Sequence, residues 1–330
     1  MDSVLESARF ISENSKDVSI PDDGIQKAAN IIYENMKKTK YSISSWKKNE
    51  LHPSIADNKA IDWIFMVDLL NFSFWSELDK EIQSNPSSER FSIEYNNNRY
   101  TGYWSLCAAI NRALEDEIPI TTPSFYMSEK KLTDNGIRHI FRSATKEEMP
   151  LLDERIHSIR EAGKVLVEKF GGSFVNCITR ANKSAANLLK IITENFNSFR
   201  DESNFQGLFF YKRAQILIAD IWACFEGKEL GEFHDIDKIT IVPQALYHLG
   251  ALSYSPSLLN LLESFTLIPH DSRPEIEIRD NDGDNGSSSN SSSSSGGINA
   301  IILDYFIWDF ASQNKHKLSV RAHRTRSIFY

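Results

Sequence analysis

Apolar residues recur at steps of three and four along most of the chain, which is the spacing of an α-helix with one buried face. An early run of this kind contains Ile25, Ala28, Ala29, Ile32 and Met36. Asp22 and Asp23 precede the run, and we expect their carboxylates to cap the first free amide groups of the helix. The pattern predicts a mainly α protein.

The next strong start signal is the capping-box spacing of Thr145 and Glu148, with Pro150 placed in the first helical turn. This helix should continue to Gly171 and Gly172, because glycine adopts the left-handed conformation that commonly ends a helix. The same periodicity predicts further helices at 173–181, 184–197, 208–226 and 243–250, and another that begins at Ser255-Pro256.

Two stretches depart from the helical pattern. The segment FSIEYNNNRYTGYW (91–104) alternates apolar and polar residues around Asn96-Asn97-Asn98, which predicts a small β-hairpin. Residues 280–297 contain only Gly, Ser, Asn and Asp, and such a composition cannot offset the entropy of ordering. Because the apolar INAIILDYFIWDFA (298–311) follows, we expect 280–297 to be a disordered insertion within a single domain, 1–330.

Composition and charge narrow the class of protein. The 330 residues are 41% hydrophobic, which is ample for a core, and 37 basic against 45 acidic residues give a net charge of −8. A negative chain is poorly suited to duplex nucleic acid, whose affinity comes largely from phosphate neutralisation. No apolar stretch of about 18 residues predicts a membrane span, and no secretory signal begins the sequence. We expect a protein of the cytoplasm or nucleus.

No motif for a metal or a cofactor is present. Cys107, Cys177 and Cys224 are odd in number and far apart, which favours reduced thiols over disulfides or a zinc site. The motifs HExxH, GxSxG, GxGxxG and GxxxxGK[ST] are absent. The sequence therefore gives no support for a zinc protease site, the nucleophile elbow of a hydrolase, a dinucleotide-binding loop or a phosphate-binding P-loop. We expect neither a metal nor a cofactor.

Acids inside apolar segments are the candidate chemistry. Aspartate is rarely buried unless it is paired, because desolvation of its charge is costly. The residues concerned are Asp62, Asp68 and Asn71 in segment 60–75, Lys212, Arg213 and Asp220 in segment 209–225, and Asp304 and Asp309 in segment 301–311. Each acid has two interpretations, a structural cap or ion pair and a functional carboxylate, and spacing alone leaves both open.

In these same segments the chain resembles the queuosine salvage protein family, the queuosine 5′-phosphate N-glycosylases. The stretches that carry the resemblance are WIFMVDLLNFSFW (63–75), YTGYWSLCAAINRALEDEIPIT (100–121), ANKSAANLL (181–189), YKRAQILIADIW (211–222), PQALYHLGAL (243–252), EIEIR (275–279) and INAIILDYFIWDFA (298–311). The resemblance implies a helical fold similar to helix-hairpin-helix DNA glycosylases. It also implies hydrolysis of queuosine 5′-phosphate to queuine and ribose 5-phosphate, which salvages the base for tRNA modification.

The resemblance also implies roles for individual residues. Asp309 becomes the leading catalytic carboxylate, and Lys212 becomes the cation at the phosphate or ribose. Asp220 is either a pocket acid or the structural partner of Arg213, and the structural role is favoured. The base pocket is assigned His52, Phe72, Asn299, Asp304 and Tyr305. The partner is thus a small nucleotide, with no nucleic acid and no membrane, and the oligomeric state is not predicted.

The chain departs from the family pattern in two places. The family has Phe-Ala-Asp-Tyr shortly before the Pro-Gln pair, whereas here 239–242 leads into Pro243 and Gln244 without an acid. The family also has an amphipathic helix where this chain has the Ser- and Asn-rich 280–297. The alternative function is therefore a catalytically impaired protein that binds queuine or its nucleotide without cleaving it.

Overall fold

Helices contain most of the ordered structure, as the periodicity predicts. The computed structural model describes residues 2–79, 89–205, 207–239, 244–280, 298–314, 320 and 322–329. The α-helices are α1 (Asp2–Asn14), α2 (Asp22–Thr39), α3 (Asn58–Leu69), α4 (Tyr103–Glu115), α5 (Pro123–Tyr126), α6 (Asp134–Ile140), α7 (Leu152–Lys169), α8 (Val175–Ala181), α9 (Ala185–Asn195), α10 (Lys212–Cys224), α11 (Pro256–Glu263), α12 (Arg273–Asp280) and α13 (Ala300–Gln313). Within these described ranges, no helix combines the length and the apolar character that a membrane crossing requires.

Short strands and 3-10 turns complete the secondary structure. The strands are β1 (Val18–Ser19), β2 (Ile93–Tyr95), β3 (Asn98–Tyr100), β4 (Glu202–Ser203), β5 (Leu208–Phe209) and β6 (Ser253–Tyr254), paired as β1–β6, β2–β3 and β4–β5, all antiparallel. The 3-10 turns are Ile43–Lys48, Glu77–Asp79, Asn197–Phe199, Glu229–Gly231, Ile236–Lys238 and Gln244–Leu249. The hairpin predicted at 91–104 is confirmed, with Asn96 and Asn97 at positive φ in its turn.

Two compact units are formed, each from separate stretches of sequence. Unit 1 comprises Met1–Ser45, Asp201–Tyr211 and Asp235–Arg326, and unit 2 comprises Trp46–Arg200, Lys212–His234 and Ser327–Tyr330. The single domain expected from the sequence stays a prediction. The insertion expected at 280–297 also stays a prediction, because residues 281–297 lie outside the described part of the chain.

Unit 1 packs α2, α11 and α13 around a shared apolar core. Its main buried residues are Val18, Ala28, Ile32, Met36, Leu246, Leu249, Ala251, Leu252, Tyr254, Leu258, Leu262, Ile268, Ile278, Phe306, Ile307 and Val320. Gly24 lies where α2 meets the Gln244–Leu249 turn, and a Cβ there would stand 2.2 Å from the carbonyl oxygen of Gly250. The close approach of these two segments therefore requires a glycine.

Unit 2 is organised around α3, whose residues from Ala60 to Leu69 are almost all buried. This explains its apolar sequence, because a helix surrounded by protein is hydrophobic on every side. Asp57 caps α3 by accepting a hydrogen bond from the Ala60 amide at 2.9 Å. Asp62 accepts from the Ser173 hydroxyl and from the amide of Phe174 at the start of α8. The structural interpretation of Asp62, a cap on a neighbouring helix, is thus confirmed.

Several predicted element boundaries are wrong. Asp22 and Asp23 lie inside the first turn of α2, and its N-cap residue, Pro21, makes no side-chain cap. The helix expected to begin at the Thr145 capping box begins at Leu152 instead, although Gly171 and Gly172 do end it. The segment from Gln244 is a 3-10 turn, and 208–211 forms β5 and its exit before α10 begins.

Candidate functional site

Four of the expected site residues lie on or next to α13 in unit 1. Asn299 is the N-cap residue, and its side-chain oxygen accepts a hydrogen bond from the Ile302 amide at 3.0 Å. Asp304, Tyr305 and Asp309 follow on the helix, and all three are half-buried. Tyr305 and Asp309 are four residues apart and share one helix face, as their spacing predicts.

Asp309 has a partner that the sequence does not suggest. The hydroxyl group of Tyr41 donates a hydrogen bond to Oδ2 of Asp309. Burial raises the pKa of Asp309, whereas the hydrogen bond from Tyr41 lowers that pKa. Burial, Asp309 and Asp304 each raise the pKa of Tyr41, so its hydroxyl keeps its proton and remains a donor.

Lys212 is the first residue of α10 in unit 2 and is half-buried. Its ammonium group makes no hydrogen bond or ion pair with any residue that the structure describes. The residue before it, Tyr211, has a positive φ of 52°. A cation at the N-terminus of a 13-residue helix is an arrangement that suits a phosphate group, because the helix amides and the ammonium both favour negative charge.

Asp220 lies on α10 and is 5% exposed. The indole N–H of Trp46 donates to Oδ1 of Asp220 at 3.0 Å. Arg213, on the same helix, donates to the backbone carbonyls of Asp68 and Leu69 at 2.7 and 2.9 Å, and also to that of Ser198. These bonds hold the C-terminal end of α3 and the Asn197–Phe199 turn against α10, which gives Arg213 a structural role.

Asp68 is a fully buried acid near the end of α3. The side-chain Nδ2 of Asn71 lies 3.5 Å from Oδ1 of Asp68, and Oδ2 of Asp68 has no hydrogen-bond partner in the described structure. Burial raises the pKa of Asp68 well above its usual range, and the nearby charge of Asp220 raises that pKa further. Two carboxyl groups that oppose each other's ionisation favour a state in which Asp68 keeps its proton.

His52 lies within a cluster of aromatic rings in unit 2. Its ring stacks on Trp46 with centroids 4.1 Å apart, and Trp63, Tyr103 and Trp104 surround it within 5.9 Å. Nδ1 lies 2.9 Å from the carbonyl oxygen of Trp46, and Nε2 lies 3.0 Å from the hydroxyl of Tyr103. Burial lowers the pKa of His52 to about 4, so the ring is neutral at pH 7.

Phe72 is 1% exposed, and two buried arginines lie close to its ring. The guanidinium carbons of Arg155 and Arg213 are 4.2 and 5.0 Å from its ring centroid. Arg155 also donates to the backbone carbonyls of Leu70 and Phe72. The ring of Phe72 therefore has cationic partners within the protein itself.

The expected residues thus fall into two sets. Asn299, Asp304, Tyr305 and Asp309 belong to unit 1, and His52, Phe72, Lys212 and Asp220 belong to unit 2. Their assignment to one substrate site stays a prediction. The sequence reasoning missed Tyr41, Trp46 and Tyr103, whose hydrogen bonds orient Asp309, Asp220 and His52. A tyrosine or tryptophan gives no signal of its hydrogen-bond partner when that partner is distant in sequence.

Comparison with known proteins agrees with the resemblance seen in the sequence. The family described as "Queuosine salvage protein" matches residues 51–330. A relative from Nematostella vectensis is 42% identical, over 98% of this chain and 97% of its own. Relatives from Schizosaccharomyces pombe and Bos taurus are 42% and 41% identical over the full length of both chains. All three are named queuosine 5′-phosphate N-glycosylase/hydrolase.

Proposed function

Since the chain belongs to the queuosine salvage protein family, we propose that it is a hydrolase that cleaves the N-glycosidic bond of queuosine 5′-phosphate. The products are queuine and ribose 5-phosphate, and the freed base becomes available for tRNA modification. The observation that carries this proposal is the near full-length match to relatives named for that activity. The substrate is a small nucleotide.

The chemistry of this bond calls for a fixed carboxylate. Cleavage develops positive charge on the ribosyl carbon, and an ionised carboxylate beside that carbon stabilises it. The same group, or a second one, orients or deprotonates the attacking water. We assign the first role to Asp309, which is half-buried and hydrogen-bonded, with Asp304 on the same helix.

Recognition of the substrate is assigned to the remaining residues. Lys212 faces the 5′-phosphate or the ribose, because its half-buried ammonium has no described protein partner and stands at a helix N-terminus. Queuine carries a secondary ammonium and a diol, both of which favour carboxylate partners. The residues assigned to its base pocket are His52, Phe72, Asp220, Asn299, Asp304 and Tyr305.

We further propose that the helical architecture is similar to that of helix-hairpin-helix DNA glycosylases. The support is the family resemblance together with the mainly helical structure of the described residues. An experimentally determined structure that superposes on such a glycosylase over most of its helices would support this. Superposition limited to single helices would contradict it.

The catalytic assignment is tested with the purified protein and queuosine 5′-phosphate in buffer that contains EDTA. We expect release of queuine and ribose 5-phosphate, and a loss of at least about 100-fold in kcat for Asp309→Asn, which keeps the shape but removes the charge. Glu263→Ala, an exposed acid of unit 1, is the matched control and should behave as the unmodified chain. Full activity in Asp309→Asn would remove Asp309 from the catalytic role.

The phosphate assignment is tested by a comparison of two substrates. Lys212→Met should raise KM for queuosine 5′-phosphate about 10-fold or more and leave KM for the nucleoside queuosine unchanged. Lys190→Met, an exposed lysine of unit 2 with 72% of its side chain accessible, is the control. An equal effect of Lys212→Met on both substrates would show that Lys212 does not contact the phosphate.

One observation favours a second function, binding without cleavage. The alignment with the Schizosaccharomyces pombe relative extends over 347 positions, whereas this chain has 330 residues, so the relative has segments without a counterpart here. We propose that the Phe-Ala-Asp-Tyr motif absent before Pro243 belongs to such a segment; residues 240–243 lie outside the described structure. Tight queuine binding by calorimetry with no ribose 5-phosphate formed, and turnover regained on insertion of that motif before Val242, would establish this function.

A further inference from the structure

Tyr41 has a backbone that is fixed by the end of α2. Lys40, the C-cap residue, adopts the left-handed conformation with φ of 53°. The amide of Tyr41 donates to the carbonyl oxygen of Met36 at 3.0 Å, which closes the helix end. The Cα of Tyr41 is therefore held by the helix, and Met36 itself is buried in the core of unit 1.

The side chain of Tyr41 is held as well. Its ring meets the ring of Phe306 edge to face, with centroids 5.4 Å apart and planes at 83°. Phe306 is a buried core residue of α13 and precedes Asp309 by three positions, which places both on neighbouring parts of one helix face. The ring contact thus aims the hydroxyl of Tyr41 at the Asp309 carboxylate, to which it donates.

The charges around this hydrogen bond favour one proton arrangement. The Tyr41 hydroxyl faces Asp309, and burial together with the charges of Asp309 and Asp304, both on α13, raises the pKa of Tyr41, so the phenol does not ionise at neutral pH. The hydrogen bond favours the ionised form of Asp309 against the effect of burial. A carboxylate that stabilises a sugar cation must be both ionised and held in one orientation.

We propose that Tyr41 is a positioning residue for the hydrolytic reaction, which fixes the orientation of the Asp309 carboxylate through their hydrogen bond. The inference rests on the proposed function. Tyr41 lies before residue 51, where the family match begins, so the match itself does not point to this residue. The evidence for this role is the hydrogen bond of Tyr41 to Asp309 and its ring contact with Phe306, both within unit 1.

The test is the pH profile of kcat/KM for Tyr41→Phe, which removes the donor and keeps the ring. Loss of the donor should raise the pKa of Asp309, so we expect the acidic limb to move to higher pH by roughly one unit. Activity should be reduced at pH values below the shifted limb and should recover in part at pH values above it. Tyr33→Phe is the matched control, because Tyr33 lies on α2, the helix that ends just before Tyr41, is 54% exposed and loses the same hydroxyl. Its profile should equal that of the unmodified protein.

A second variant keeps the test valid if Tyr41→Phe does not fold. Replacement of Tyr41 by 3-fluorotyrosine retains the size and makes the phenol a stronger donor, so the acidic limb should move to lower pH. If the unmodified protein is active but the acidic limb of the kcat/KM profile does not move in any variant that folds, this inference is wrong while the proposed function stands. Absence of hydrolysis by the unmodified protein would overturn the proposed function, and this inference with it.

Discussion

His52 shows how geometry fixes the proton of a single side chain. The carbonyl oxygen of Trp46 only accepts hydrogen bonds, so the Nδ1 atom that faces it must carry the proton of the neutral ring. Nε2 is then the acceptor, and the Tyr103 hydroxyl donates to it. A second proton would have to displace the Tyr103 hydrogen bond inside an aromatic cluster, which agrees with the lowered pKa.

This lowered pKa predicts a pH dependence of stability. Between pH 6.5 and about 4 the unfolded chain protonates His52 and the folded chain does not, so the free energy of unfolding decreases as the pH falls through this window. The total contribution is up to about 3 kcal/mol. Urea unfolding at pH 7 and pH 4 should show a larger decrease for the unmodified protein than for His52→Gln.

The control for this measurement is His157→Gln, an exposed histidine of α7 in the same unit. It should lose stability in parallel with the unmodified protein. If His52→Gln shows the same decrease in the free energy of unfolding as the unmodified protein and His157→Gln, the folded protein accommodates the second proton on His52. The tautomer argument would then be wrong.

At the residue scale the sequence predicts which side chains are unusual but not what each one does. Asp62 and Asp309 stand out for the same reason, since both are acids in apolar segments. In the structure Asp62 caps α8, whereas Asp309 meets Tyr41. That second contact joins residues 268 positions apart, and no local pattern encodes it.

At the element scale, Gly24 controls how closely α2 approaches a neighbouring segment of unit 1. Gly24→Ala should lower the free energy of unfolding by about 2 kcal/mol or more, because the new methyl group meets the backbone carbonyl of Gly250, which cannot rotate away. Gly136→Ala in α6 is the control, since its methyl group meets side-chain atoms and no backbone, with Cδ1 of Leu132 at 2.9 Å and Oγ1 of Thr133 at 3.5 Å. Thermal unfolding of both variants measures the difference, and equal stability would show that α2 shifts without cost.

The helix that the capping-box spacing at Thr145 predicts begins at Leu152 instead, and this difference has a physical reason. Capping-box residues also make local bonds outside helices, and here the Thr145 hydroxyl accepts from the amide of Glu147. The Glu147 carboxylate accepts from Ser76 and from the amide of Phe91, two residues distant in sequence. At the start of α11 the signal holds, because the Ser255 hydroxyl accepts from the amide of Leu258 while it donates to Asp17.

At the scale of the whole molecule, the sequence predicts the fold class better than it predicts which elements pack together. Hydrophobic periodicity reflects the burial of one helix face and therefore predicts a mainly helical protein and its hairpin. It contains no information on which helices pack together. The division into units 1 and 2, each built from separated stretches, and the pairing of β1 with β6 depend on such long-range contacts.

The place of α2 in unit 1 also bears on how the protein can be shortened. The family match begins at residue 51, and a truncated chain for expression could be designed to start there. Such a chain would lack Ala28, Ile32 and Met36, and would leave the apolar side of α13 around Phe306 in contact with water. Exposed patches of that kind drive aggregation, so the boundary of sequence similarity is not the boundary of a chain that folds.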